Sequence, residues 1–159
     1  RVEGGSELEL WIRHLVLNAT IAPTASSLLI GRAKSGSKYK VAVVRFAPVS
    51  DPARHLGTLV DLFQRGQSLP LPLLKSASRA YAAAWRGKLP TFAKARSEAR
   101  RKFEDNDRIP GDGADPYVAQ VYPELPQELR EDGTADETAE IFRVARAVFD
   151  PLLDHREGQ

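Results

Sequence analysis

Three histidines, a Lys-Ser pair and two runs of Lys and Arg are the side chains here best suited to chemistry. His14, His55 and His155 stand far apart, and no two are separated by a metal-ligand interval. Each reads as a structural or solvated imidazole. The stretch 65–76, RGQSLPLPLLKS, has a glycine and a Lys-Ser but not the GxxxxGK[ST] spacing that cradles phosphates. No Gly-x-Ser-x-Gly turn offers a serine nucleophile. The absence of cysteine excludes disulfides and thiolate metal sites and fits a reducing cytosol.

What remains is charge. Through Phe103 the chain has 18 Lys and Arg against 6 Asp and Glu, and beyond it 5 against 15. Such polarity predicts either one basic face for a polyanion or two halves that neutralise each other on folding. Lys94, Arg96, Arg100, Arg101 and Lys102, set against Glu98 and Glu104, leave +3 on one predicted helix, with Arg86 and Lys88 on its approach. Arg96 and Arg100 are four apart and repel unless an anion lies near. Arg32, Lys34, Lys38 and Lys40 form a second cluster. Either cluster reads as phosphate-contacting or as a solvated face, with the acidic stretch that follows partly neutralising the helix.

The elements that must position these residues are legible from periodicity and punctuation. Ser6 and Glu9 predict a capping box for a first helix carrying Leu8, Trp11, Ile12, Leu15, Val16 and Ala19 as its stripe. Two strands follow, Ser26 to Gly31 and Tyr39 to Pro48, joined by a turn at 34–38. The nearly continuous apolar run through Val44 predicts a second strand buried on both faces. Asp51, Pro52 and Gly66 punctuate a helix with Leu56, Leu59, Val60 and Phe63 as its buried stripe. Ser76 suits the start of a short helix through Tyr81 and Trp85. Another helix spans roughly Thr91 to Glu104, with Phe92, Ala95, Ala99 and Phe103 inward. The Gly-, Pro- and acid-rich stretch from Asp105 to Gly133 reads as a long connection that still carries Tyr117, Val118, Val121, Tyr122 and Leu125. Thr134 and Glu137 predict the cap of a last helix that Pro151 ends.

These features predict a single domain over 1–159 of the α/β (α+β) class, with a small mixed sheet flanked by helices. No apolar run approaches the ~20 residues of a membrane helix, and no signal peptide opens the chain. Methionine is absent, even at position 1, so the chain reads as a fragment of a longer subunit.

The order α-β-β-α resembles the core of metal-dependent nucleases of the restriction-endonuclease, PD-(D/E)XK, type. There the hairpin carries an Asp on one strand and an Asp/Glu-x-Lys on the next. The acids hold Mg²⁺ and the lysine stabilises charge developing on the phosphate. Here Ile30-Gly31-Arg32-Ala33-Lys34 and Val43-Val44-Arg45-Phe46-Ala47 offer no acid in any register. The expectation is a degenerate nuclease core without catalytic residues and without a metal.

The segment LVDLFQRGQSLPLPLLKSASRAYAAAW, 59–85, resembles the RecC family, the gamma chain of exodeoxyribonuclease V. In that family a helix leads into a Leu/Pro-rich block ahead of aromatic residues. LELWIRHLVLNA near the start, Asp115-Pro116-Tyr117, and VFDPLL near the end follow in the family's order. The chain departs at Leu73-Leu74, where the family often has two phenylalanines and a third proline. The resemblance implies the C-terminal domain of the subunit, with a fold similar to the nuclease domain of RecB but lacking its catalytic residues. It implies a bacterial cytoplasmic helicase–nuclease that resects double-strand breaks in homologous recombination and responds to Chi, the latter a job of upstream domains absent here. Implied partners are RecB-like and RecD-like subunits and forked or single-stranded DNA. ATP and Mg²⁺ belong to other subunits, and this domain needs no cofactor.

Leu69, Pro70, Leu71, Pro72 and Leu74, with Tyr81 and Trp85, are the candidate partner or packing segment. The prolines bar helix and central strand and stiffen an extended backbone. The leading expectation is a silent nuclease-fold module that contacts DNA and helps split or guide its strands. The alternative is a docking scaffold without DNA contact, and an active Mg²⁺ nuclease is a distant third.

Overall fold

In the computed structural model, residues 4–35, 38–104 and 110–157 are described, with the backbone alone at 4 and 33–35. The elements run α1 (Gly4–Thr20), β1 (Ser27–Ser35), β2 (Lys38–Phe46), α2 (Pro52–Gly66), α3 (Lys75–Trp85), α4 (Phe92–Phe103), α5 (Pro116–Val121), α6 (Glu140–Asp154) and β3 (Arg156–Glu157). Short 3-10 turns occupy Asp112–Ala114 and Gln127–Leu129. The class is mixed α/β, and the chain divides into two compact units: Arg1–Asp61 with Pro151–Gln159, and Leu62–Asp150. Among the described residues no helix is long and apolar enough to cross a membrane.

The first unit holds the sheet, in the order β1-β2-β3. It is antiparallel throughout rather than mixed, because β1 and β2 form a hairpin and β3 pairs antiparallel to β2 at Arg45 and Phe46. Ala42, Val44 and Phe46 are buried while Val41 and Val43 are not. The expectation of burial on both faces therefore fails: the apolar run alternates, with the core on one side only. Trp11 and Leu15 of α1 are buried, and Trp11 lies 5.3 Å from Phe46, ring centre to ring centre. Ile12, Val16 and Ala19, also assigned to the stripe, are exposed. Ser6 lies inside α1, so the capping box does not start the helix. Gly36 and Ser37 of the expected turn lie outside the described residues.

α2 begins as its sequence predicts, with Asp51 Oδ1 accepting from the Arg54 N–H at 3.2 Å. Its buried residue is Leu62, however, whereas Val60 and Phe63 are exposed at 50% and 68%. The stripe is rotated by part of a turn.

The second unit is helical. Leu74, Ala77, Tyr81, Ala95, Ala99, Phe103, Leu129, Ile141, Phe142 and Ala145 form its core. Full burial of a large side chain contributes about 1.5–3 kcal/mol. Thr91 caps α4 by accepting from the Lys94 N–H at 3.2 Å, as its position predicts. α3 differs. Its cap position is Leu74, and its amide groups at Ser76 and Ala77 both donate to Asp112 Oδ2 at 2.7 Å. A carboxylate 36 residues away does the work expected of the Ser76 hydroxyl.

The Asp112 turn returns tightly. A Cβ at Gly111 would stand 2.3 Å from the Phe103 carbonyl oxygen, so only glycine fits there. α6 starts at Glu140 rather than at Thr134, with Asp136 instead bonding the Thr138 N–H and hydroxyl. Pro151 lies inside α6, which continues to Asp154. Proline forfeits one intrahelical bond, and only the last turn follows it.

Candidate nucleic-acid interface

The hairpin is built by two nine-residue strands in register from Ser27↔Phe46 to Ser35↔Lys38. Side chains alternate between its faces. Lys38 and Lys40 therefore share the side of Ala42, Val44 and Phe46, but they are exposed where those are buried. Arg32, Tyr39, Val41, Val43 and Arg45 take the other side, with Leu28 and Ile30. The Arg32 guanidinium lies over the Tyr39 ring at 4.5 Å. Arg45 donates to Ser26 Oγ at 2.9 Å and pairs with Glu157 at 3.6 Å. Arg32, Lys38 and Lys40 have no ion pair among the described residues. The Lys34 side chain lies outside the description. Neither strand carries a carboxylate.

On the second predicted cluster, α4, the three arginines are engaged within the chain and the two lysines are not. Arg96 donates to the carbonyl oxygens of Glu131 (3.1 Å) and Gly133 (3.3 Å), and its guanidinium lies 5.2 Å from the Phe92 ring centre. Arg100 pairs with Glu104 at 2.9 Å and Glu131 at 3.1 Å. The hydrogen bond to Glu104, above all, raises the pKa of that guanidinium. Arg101 pairs with Glu98. Lys94 and Lys102 stay exposed without an ion pair among the described residues. A shallow recess beside α4, lined by Arg100, Leu125, Arg130, Glu131 and Asp132, has two cations against two carboxylates. Arg86 and Lys88 are exposed at the end of α3, the first of them already in contact with other residues.

The Leu/Pro segment splits. Leu74 is 2% exposed and Tyr81 1%, both inside the second unit's core. Tyr81 stacks on Trp85 (6.0 Å) and Phe142 (4.5 Å), and burial pushes its phenol up to about 12. Leu71 and Pro72 are half-buried, whereas Leu69 and Pro70 are exposed. Leu74 and Tyr81 are therefore packing residues of their own unit, while Leu69 and Pro70 stay open to solvent.

One grouping escaped the linear reading. The three histidines, apart in sequence, surround Trp11 in the first unit, with ring centres 5.9, 6.1 and 5.4 Å away for His14, His55 and His155. His14 is fully buried. Its Nδ1 meets Ser27 Oγ and its Nε2 the Ala47 carbonyl, both at 2.9 Å, which suits a neutral ring donating from Nε2. Burial, foremost, lowers the pKa of His14 and of His55. Among the described residues no three His, Asp or Glu side chains are gathered to hold a metal ion.

Residues 1–86, just over half of the chain, match the family model of the RecC C-terminal domain. No curated protein matches the chain. The family match takes in α1, the hairpin, α2, the Leu/Pro segment and α3, and ends before α4 and the motifs at Asp115–Tyr117 and Val148–Leu153. Over the elements that present the hairpin cations and the Leu/Pro segment, then, this chain belongs to the RecC C-terminal domain family.

Proposed function

We propose that this chain is a catalytically silent nuclease-fold module of a RecC subunit. It serves a bacterial cytoplasmic DNA helicase–nuclease in recombinational repair, where it contacts forked or single-stranded DNA. The observation carrying this reading is the exposed pair Lys38 and Lys40, without ion pairs among the described residues, on strands free of carboxylates. Lys38 and Lys40 share one side and suit consecutive phosphates. The silence is supported by the same two strands, where acids to hold Mg²⁺ are replaced by aliphatic and basic residues. No cofactor is needed here, and ATP and Mg²⁺ serve the other subunits.

Fluorescence anisotropy with a labelled forked duplex and with oligo-dT tests it. Binding at low ionic strength should weaken linearly in log-log form as salt rises. Absence of salt-dependent binding at low ionic strength sinks the DNA reading, and Mg²⁺-dependent cleavage by the purified chain sinks the silent one.

A second reading, assembly with RecB-like and RecD-like subunits, is favoured by the exposed aliphatic residues of the hairpin. Co-purification of the chain with those subunits tests it.

A further inference from the structure

We infer that the open face of the β1–β2 hairpin is the docking surface for an amphipathic helix of a second protein, with an aliphatic stripe flanked by carboxylates. The inference deepens the assembly reading and rests on it.

Leu28, Ile30, Val41 and Val43 share this face and are 56%, 67%, 74% and 40% exposed. Ile30 stands directly across from Val43, and Val41 follows two residues along the same strand, so the four form one continuous patch. A sheet with one uncovered aliphatic face is an incomplete layer, and a helix laid across it is one of the elements that complete such a layer. Strands with this much branched aliphatic surface gain little from facing water.

The occupant's charge follows from the cations around the patch. Arg32 and Arg45 flank it on the same face, and the strands carry Arg32, Lys34, Lys38, Lys40 and Arg45 with no acid. Arg45 already has Glu157, which leaves Arg32 for an incoming carboxylate. A second copy meeting this face with its own would set like charges together. Flanking carboxylates on the partner are complementary instead. Single-stranded nucleic acid is the poorer occupant of this face, since bases stack on aromatic rings. Tyr39 is its one aromatic, and Arg32 already lies over that ring. The phosphate-contacting Lys38 and Lys40 project from the opposite side, so the two ligands need not compete.

The test titrates the full chain with a labelled synthetic helical peptide bearing leucines at i, i+3, i+4 and i+7 and glutamates beside them. Controls are a scrambled peptide, a lysine-flanked peptide and oligo-dT. Saturable binding of the glutamate peptide is expected, weakened about tenfold or more by Ile30→Asp or Val41→Asp and several-fold by Arg32→Glu. The lysine-flanked peptide should bind more weakly than its glutamate counterpart. Equal binding of the scrambled peptide, or indifference to all three substitutions, overturns the inference. Oligo-dT that competes with the peptide and is lost in Ile30→Asp also overturns it, assigning the face to nucleic acid. Circular dichroism checks folding, and if an aspartate variant melts, Arg32→Glu, which leaves the patch intact, decides alone. Co-purification of the wild-type chain with the subunits but no peptide binding removes this face and leaves the assembly reading standing. Peptide binding without co-purification supports the face while removing the proposed subunits as its source.

Discussion

The hairpin and α4 are both strongly basic in sequence, yet they meet the solvent differently. On α4 the apolar side is closed by the second unit's core, and its three arginines are held by Glu98, Glu104, Glu131 and two backbone carbonyls, which leaves only Lys94 and Lys102 unpaired among its described cations. On the hairpin one apolar side stays open, and Arg32, Lys38 and Lys40 lack ion pairs among the described residues. Formal charge on an element does not measure its availability to a ligand. Availability depends on whether another part of the chain returns with carboxylates, as the segment around Glu131 does for α4. The acidic half of the sequence neutralises the basic half selectively.

The largest effect that could break this contrast is on stability. Phe103→Ala removes a buried ring from α4 and should cost about 3–5 kcal/mol. Val41→Ala on the open hairpin face should cost no more than about 0.5 kcal/mol. Urea denaturation followed by circular dichroism measures both, and similar losses would mean that the hairpin face is covered after all.

Next in size is the response to DNA. The double substitution Lys38→Glu, Lys40→Glu should weaken oligo-dT binding by about tenfold or more at moderate salt and flatten the salt slope by about two contacts. The matched pair on α4, Arg100→Glu with Arg101→Glu, should change affinity far less, because those guanidinia are already engaged. Equal losses in anisotropy titrations would erase the distinction between the clusters.

Local sequence specifies an element's start where the controlling interaction is local. Thr91 before α4 and Asp51 before α2, with Pro52 opening it, act within one helical turn, and the residues that set them are adjacent in the chain. The Ser6/Glu9 and Thr134/Glu137 pairs misled because a capping pattern is only a set of residue types, and it also occurs inside or ahead of a helix. Asp112 was invisible as the cap of α3 because nothing near Ser76 specifies a carboxylate far along the chain. Apolar runs show that a strand is hydrophobic but not which side is covered, so the open hairpin face read as buried. The same limit applies to charge: that the acidic stretch partly offsets α4 could be posed from sequence, but not which cations pair. The histidines around Trp11 come from α1, α2 and the residue after α6, and their grouping is purely tertiary.

That histidine grouping sharpens the comparison through pH. All three histidines belong to the first unit and none to the second. His14 and His55 have folded-state pKa values below the usual 6.5, because burial first, and then the neighbouring charge of His155, disfavour the cation. His14 also meets the Ala47 carbonyl, whose hydrogen bond opposes the shift. Arg54 lowers His55 further and Asp51 raises it. A depressed histidine contributes stability that is fully present above the unfolded value and is lost as pH falls through the folded one. The first unit should therefore loosen as pH falls from about 6.5, while the second has no such sensitivity. Amide hydrogen exchange at neutral and mildly acidic pH resolves the two. Equal acid sensitivity of α4 and the hairpin would contradict the assignment.

The smallest expected effect concerns the mask over α4. Glu131 is 79% exposed and Arg100 32%, so their 3.1 Å pair is a surface interaction. Glu131→Gln should alter stability by no more than about 0.5 kcal/mol. The substitution removes one of two carboxylates from Arg100 while Glu104 stays bonded at 2.9 Å. It also spares the Glu131 backbone carbonyl that receives Arg96. Affinity for oligo-dT should rise by about twofold to threefold at low salt, with the gain disappearing as salt is added. A larger gain, matching what the hairpin lysines contribute, would show that α4 is a second phosphate-contacting surface held in check by one carboxylate. The contrast between the two basic elements would then be one of regulation instead of architecture.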